Sequence, residues 1–238
     1  MNERLRRLID ECGSIVFFGG AGVSTESGVP DFRGRDGLYS QTYRFPPEVM
    51  LSHSFFESHT ADFYAFYRAR MIYPDARPNK AHIALARLEQ AGRLKAVITQ
   101  NIDGLHQRAG SVNVLELHGS VHRNHCARCG RFYDIKAITE SAGVPLCGCG
   151  GVIKPDVVLY EEPLDEELMR RSAEYIAGAD MLIVGGTSLG VYPAAGLIGY
   201  YRGGRLALIN KTPTPMDAAA DFIFRENIGE VLGNWGEG

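Results

Sequence analysis

The segment Ser14 to Phe18, SIVFF, is a short continuous apolar run, and such a run reads as a β-strand that must be covered on both faces. Strands buried on both faces belong to sheets whose crossovers are helices, and helical patterns do separate the strand candidates here. Those candidates are Leu94 to Thr99 (LKAVIT), Val112 to Leu117, Val157 to Tyr160, Met181 to Val184 and Leu206 to Ile209. Glu3 to Glu11 places Leu5, Leu8 and Ile9 on one helical face before Gly13. Asn79 offers an N-cap to a helix running through Gln90, with apolar Ile83, Leu85, Ala86 and Leu88 and a stop at Gly92. Asp165 to Ala177 is a third helical stretch. The alternation predicts a doubly wound, Rossmann-like α/β fold with a parallel sheet.

Two stretches break the rhythm. Gly34 to Tyr73 is aromatic-rich and loopy, then helical at Ala61 to Met71; Val121 to Gly151 carries cysteines and little periodicity. Both read as insertions that form a smaller lobe with a helical part and a zinc-binding part. The expected division is a single domain over 1–238, with a large lobe at about 1–34, 75–120 and 154–238. The small lobe would take about 35–74 and 121–153.

At 238 residues and 45% hydrophobic content the chain can bury a substantial core. A net charge of -3 gives no basic field of the kind that gathers nucleic acid. The start, MNERLRRLIDECG, is not followed by an apolar core segment, and no apolar run approaches the roughly 18 residues of a membrane helix. The expectation is a cytoplasmic protein without direct nucleic-acid or membrane partners. Of five cysteines, Cys12 stands apart as a small buried hydrophobe; the other four crowd one stretch.

That stretch reads Cys126-x-x-Cys129, then Cys147-Gly148-Cys149, close to a Cys₄ zinc pattern. The second pair has one intervening residue where two are usual, so His122 and His125 stand as alternative ligands. Four protein ligands leave no open position, which marks a structural zinc site and not a catalytic one.

Polar residues gather at the ends of the strand candidates. Gly19-Gly20-Ala21-Gly22-Val23-Ser24 suits the approach of backbone N–H groups to a pyrophosphate, although Thr25 stands where the dinucleotide fingerprint has its third glycine. The loop Gly28 to Gly34 adds Phe32, a carboxylate and Arg33, a combination suited to a lid over a nucleotide. Thr99-Gln100-Asn101-Ile102-Asp103 follows the strand LKAVIT at its carboxyl end, where open α/β sheets bind ligands; Asn101 and Asp103 are equally residues that cap helices. His118 ends another strand before a glycine, with a pKa suited to proton transfer, and competes with His106, His122 and His125. Gly185-Gly186-Thr187-Ser188 and Asn210 end two further strands with residues that suit ribose and phosphate.

Together GAGVSTESGVPDFRG (20–34), TQNIDGLHQRAG (99–110), ELHGS (116–120), the paired cysteines, KPDVVLYEE (154–162), GTSLGVYPAAGL (186–197) and LIN (208–210) resemble the sirtuin family of NAD-dependent protein deacylases. The resemblance implies that Gly20, Ala21, Gly22, Thr25, Phe32 and Arg33 lie along NAD, which is consumed as co-substrate. It implies that Gln100, Ile102 and Asp103 line the nicotinamide pocket and that Asn101 orients the ribose. Thr187, Ser188, Asn210 and Ile228 would hold the adenosine half, and His118 would be the general base beside Asn101 and Asp103. Val157, Val158, Leu159 and Tyr160 with Gly190, Val191 and Tyr192 would clasp an acylated lysine peptide by main-chain hydrogen bonds. Products would be free lysine, nicotinamide and O-acyl-ADP-ribose.

Three departures from the family stand out: Gly19 replaces a threonine, Glu161 stands where many members have glycine, and the Cys147–Cys149 spacing is short. Tyr67 and Arg70, three apart on one helical face, resemble the Tyr-x-x-Arg pair of sirtuins that remove succinyl and malonyl groups. The plain alternative is that Phe63, Tyr64, Phe66 and Tyr67 are packing and the arginines a solvated face. Rival functions are a mono-ADP-ribosyltransferase using the same NAD site and a non-catalytic NAD- or peptide-binding module.

Overall fold

The computed structural model describes residues 3–32, 34, 37–41, 43–233 and 235–236. Arg33 lies outside the described residues.

The strands are β1 (Ile15–Gly19), β2 (Leu94–Thr99), β3 (Val114–Glu116), β4 (Gly119–Cys126), β5 (Phe132–Tyr133), β6 (Ile153–Val157), β7 (Met181–Gly185), β8 (Leu206–Ile209) and β9 (Phe222–Phe224). The helices are α1 (Glu3–Glu11), α2 (Pro47–Met50), α3 (His53–Ser58), α4 (Thr60–Arg70), α5 (Lys80–Gln90), α6 (Leu105–Arg108), α7 (Lys136–Thr139), α8 (Glu166–Ala177) and α9 (Ile228–Leu232). Six strands form one parallel sheet in the order β3-β2-β1-β7-β8-β9. The chain builds outward from β1 in one direction and then, after the insertions, outward from β7 in the other. The order therefore reverses between β1 and β7, the place where doubly wound sheets open a crevice.

All five β1 residues are buried. Their side chains alternate between two cores: Ile15 and Phe17 pack against α1, α5 and α9, while Val16 and Phe18 pack against Ile176 of α8 and the turn at Ala194–Tyr200. Each of the two fully buried phenylalanines contributes about 1.5–3 kcal/mol on area grounds. In α5 the predicted cap is present as a reciprocal box: the Asn79 side chain accepts from the helix's first turn, and His82 Nδ1 accepts from Asn79 N–H. Ile83, expected on the apolar face, is exposed; Ala81, His82 and Ala84 take the buried positions.

The segment Val157 to Tyr160 departs from the expected parallel strand. Only Val157 is in a strand, at the end of β6, and β6 pairs antiparallel with β4 in a separate sheet of order β5-β4-β6. An apolar run reports burial but not which sheet buries it. The edge strand β9 is an apolar run of only three residues, too short to read as a strand from pattern alone. The three-stranded sheet shares a third core with α2, α3 and α4, built on Phe55, Phe63, Tyr64, Tyr67, Ile138 and Ile153.

Candidate active site and cysteine cluster

The carboxyl ends of β1 and β7 are interlocked by glycines. Gly20 N–H donates to Gly185 O at 3.2 Å, and Gly22 N–H donates to Gly186 O at 2.8 Å. A Cβ on Gly22 would stand 2.8 Å from Gly186 Cα, and one on Gly20 would stand 2.9 Å from Thr187 Cβ. These glycines are required by backbone-to-backbone approach across the switch point, whatever binds above them. Ala21 opens the following turn and Thr25 is exposed, its hydroxyl donating to Gly22 O.

Beside this crevice, β2 ends in a hydrogen-bonded relay. Asn101 Nδ2 donates to Ser24 Oγ at 3.0 Å, and Ser24 Oγ donates to Asp103 Oδ2 at 2.7 Å. Asp103 Oδ1 accepts from Leu105 N–H at 2.9 Å, so this residue closes the turn before α6, whose N-cap is Gly104, and ends the relay at once. Burial pushes the Asp103 carboxyl up from its ordinary range, against the Leu105 N–H and the Ser24 hydroxyl. Ser24 is fully buried and joins two loops 77 residues apart; sequence reasoning left it without a role. Its place in the fingerprint turn was the available signal, but its partners were not.

Gln100 ties three strand ends together. Its N–H donates to Gly19 O, its Nε2 donates to Thr187 Oγ1 at 3.1 Å, and its carbonyl accepts from His118 Nδ1 at 3.0 Å. His118 is half-buried at the junction of β3 and β4, and burial holds its pKa below the ordinary imidazole value. Gly119 beside it has φ +76, and a Cβ there would overlap the Asp156 carbonyl oxygen. The glycine after His118 is thus needed for β4 to pair with β6. The other histidines do different work. His106 is sealed against the His82 ring at a centroid distance of 4.7 Å. His122 contacts Asp103 O at 3.1 Å through Nε2, and His125 pairs with Asp156 at 2.7 Å.

Other expected contact residues are more scattered. Phe32 packs against the third core and meets Tyr39 edge-on at 5.8 Å, and Ile102 is half-buried against the same core. Ser188 is exposed, and Asn210 folds its amide onto Thr212 O at 2.9 Å. Ile228 turns its side chain into the core, close to Gly185. Val158 N–H donates to His118 O at 3.0 Å, Leu159 N–H to Glu162 and Tyr160 N–H to Leu51 O. Gly190, Val191 and Tyr192 form an irregular loop with Tyr192 75% exposed. The structure does not bring Tyr67 and Arg70 onto a common partner. Tyr67 is buried and stacked on Phe63, whereas Arg70 is exposed with its guanidinium over the Tyr43 ring at 5.6 Å.

The four clustered thiols converge. All sulfurs lie within 4.8 Å of one another, with Cys126–Cys149 at 3.5 Å and Cys129–Cys147 at 3.7 Å. A tetrahedral zinc with Zn–S bonds of about 2.3 Å places its sulfurs roughly 3.8 Å apart, so the donor set fits that ion. Tyr133 O–H and Arg128 N–H donate to Cys147 and Cys126 sulfur, as partners that orient thiolates do. The short Cys147-Gly-Cys149 spacing is accommodated by a turn: Gly150 N–H donates to Cys147 O, Cys147 N–H donates to Gly151 O, and Gly150 has φ +79. His122 and His125 point elsewhere, so the cysteines form the set without them.

The model of the Sir2 family matches residues 20–193, well over half of the chain. The chain belongs to the Sir2 family. Among relatives, the NAD-dependent protein deacetylase of Clostridium perfringens is 59% identical over 97% of this chain and 96% of its own length. That of Cutibacterium acnes is 53% identical over 97% and 95%. Of solved structures, a Sir2–p53 peptide–NAD+ complex superposes with a TM-score of 0.85 at 41% identity, covering 98% of this chain and 95% of that one. No helix among the described residues is long and apolar enough to cross a membrane.

Proposed function

We infer that this chain is an NAD-dependent protein-lysine deacetylase, and the observation that carries the reading is the state of His118. A carbonyl oxygen only accepts, so the contact with Gln100 O places the ring proton on Nδ1. Burial lowers the pKa, so the ring is neutral at pH 7 and Nε2 keeps its lone pair. That is the state of a general base, and His118 takes the proton of a ribose hydroxyl.

The rest of the site binds and orients. The Gly20–Gly22 turn, with Ala21, Thr25, Phe32 and Arg33, cradles the cofactor's phosphates and nicotinamide side. The Asn101–Ser24–Asp103 relay, with Gln100 and Ile102, holds the ribose and nicotinamide in register with His118. Thr187, Ser188, Asn210 and Ile228 take the adenosine half. Val157–Tyr160 and Gly190–Tyr192 hold the peptide. NAD, as co-substrate, offers C1′ to the acyl oxygen while the bond to nicotinamide breaks; the ribose hydroxyl deprotonated by His118 then attacks the imidate carbon, lysine leaves with the amide nitrogen, and one water completes O-acyl-ADP-ribose, so free lysine, nicotinamide and O-acyl-ADP-ribose are the products. Zinc, held by Cys126, Cys129, Cys147 and Cys149, is structural. Incubating an acetyl-lysine peptide with NAD and weighing the products tests the reading: ADP-ribosylated protein in place of free lysine would transfer the chain to the other reaction class.

The same chemistry predicts a pH profile. A base must be unprotonated, so kcat/KM should fall on the acid side through one ionisation whose midpoint lies below the 6.5 of an ordinary imidazole. A midpoint at or above 6.5 would mean that the ring is not the desolvated base described here.

The finer acyl preference is a proposal that rests on Tyr67 and Arg70. Its support is their helical spacing and the Tyr67 hydroxyl, which is buried with no hydrogen-bond partner. Arg70 would leave the Tyr43 ring to grip a distal carboxylate through two parallel bonds. Arg70→Met should then raise KM for succinyl-lysine peptides about tenfold or more while sparing acetyl-lysine. Equal losses on both, or no succinyl-lysine turnover in the parent, would leave deacetylation alone.

A further inference from the structure

A seam of hydrogen bonds joins the segment after β6 to the start of α3, and nothing in the chemistry above uses it. Tyr160 N–H donates to Leu51 O and His53 N–H donates to Tyr160 O, each at 3.0 Å. The Tyr39 and Tyr160 hydroxyls bond to each other. The Glu162 carboxylate meets His53 Nδ1 at 2.8 Å and accepts from Lys154 Nζ at 3.2 Å and Leu159 N–H at 2.9 Å. Glu161 reaches across to Ser54: Oε2 accepts its N–H at 2.9 Å and Oε1 accepts its hydroxyl at 3.0 Å.

Glu161 does this at φ +75, in the left-handed region that an L residue enters only at a cost and a glycine enters freely. A residue kept there is held by its surroundings. Its hold is two charge-assisted bonds to Ser54, stronger than neutral ones.

We propose that Glu161 is a positioning residue that latches the peptide-holding segment Val157–Tyr160 to the helical insert at Ser54. The proposal rests on the reading of Val157–Tyr160 as part of the peptide cleft. The inner end of the segment is tied to the site through Val158 N–H and His118 O. The outer end is Tyr160, 39% exposed, and Glu161 is the next residue along. The latch therefore decides whether the segment meets a peptide already extended. A frayed segment must be ordered at each binding event, and that cost falls on peptide affinity and not on the chemical step.

Glu161→Ala keeps the left-handed demand and removes the latch; Glu161→Gly removes both. Both should raise peptide KM roughly tenfold while NAD KM and kcat at saturating peptide stay within about twofold, and the glycine variant should melt higher than the alanine one. Glu161→Gln, which retains an acceptor for Ser54 N–H, should recover part of the loss. Hydrogen exchange of residues 157–160 with and without an acetyl-lysine peptide separates the two readings. Protection in the parent that is weakened in Glu161→Ala supports the latch. Unchanged protection with unchanged peptide KM in that variant overturns it, and so does a fall in kcat and NAD affinity equal to the peptide effect. No gain in protection when peptide is added to the parent overturns the cleft assignment, and the latch with it.

Discussion

His118→Tyr should lower the deacetylation rate at saturating substrate by about 10²–10⁴-fold, the amount a positioned general base contributes. A phenol with a pKa near 10 cannot take up a proton at neutral pH, so tyrosine removes the function while keeping a planar ring. The ring is half-buried at a strand junction, held by one bond to Gln100 O, so its exchange leaves the sheet pairing of β3 and β4 in place. Circular dichroism, melting temperature and zinc content should match the parent, and NAD should still bind. Turnover close to the parent's would remove His118 from the mechanism.

The second large effect is loss of the metal. One zinc per chain is expected, and a strong chelator, or Cys126→Ala, should unfold at least the three-stranded lobe. Structural zinc binding is worth about 10–16 kcal/mol in small zinc domains, as much as the whole stability of an ordinary domain. Activity should fall with it although zinc touches no reacting atom. The reason is connectivity: β4 starts at Gly119, directly after His118, and ends at Cys126, while β6 returns from the cysteine turn to Val157. Releasing the far end of this pair loosens the His118–Val158 bond at its near end. Zinc content by elemental analysis, hydrogen exchange across 119–157 and activity should move together. A metal-free protein with full stability and activity would refute the structural role.

Much of this was legible in local pattern. The buried run at Ser14–Phe18, the cap at Asn79 and the glycine stops follow from periodicity and backbone sterics, which neighbouring residues set. The strand-end clusters were legible too, because polar residues directly after a buried strand have few reasons to be there. Partnership across the fold is not legible in local pattern. Val157 to Tyr160 has the apolar pattern of a main-sheet strand, but only Val157 is in a strand, at the end of β6 beside β4, and the short β9 carries too little pattern to be seen. Tyr67 and Arg70 share a helix face by spacing, yet one side chain turns into the core and the other onto Tyr43.

Local pattern is enough for the alternation of buried strands and helices, and with it a parallel sheet whose carboxyl ends carry Gly20, Gln100, Asn101, Asp103 and His118. It also determined that four cysteines lie close enough in the chain to share an ion. That Ser24 links Asn101 to Asp103, and that Gln100 O sets the His118 tautomer, emerges only in the folded chain. The choice of four thiols over His122 and His125, and the glycine interlock of Gly22 with Gly186, were decided there as well. The physical reason is range. Propensity, capping and periodicity act over a few residues, whereas a hydrogen bond between residues 24 and 101 exists only after β1 and β2 have paired.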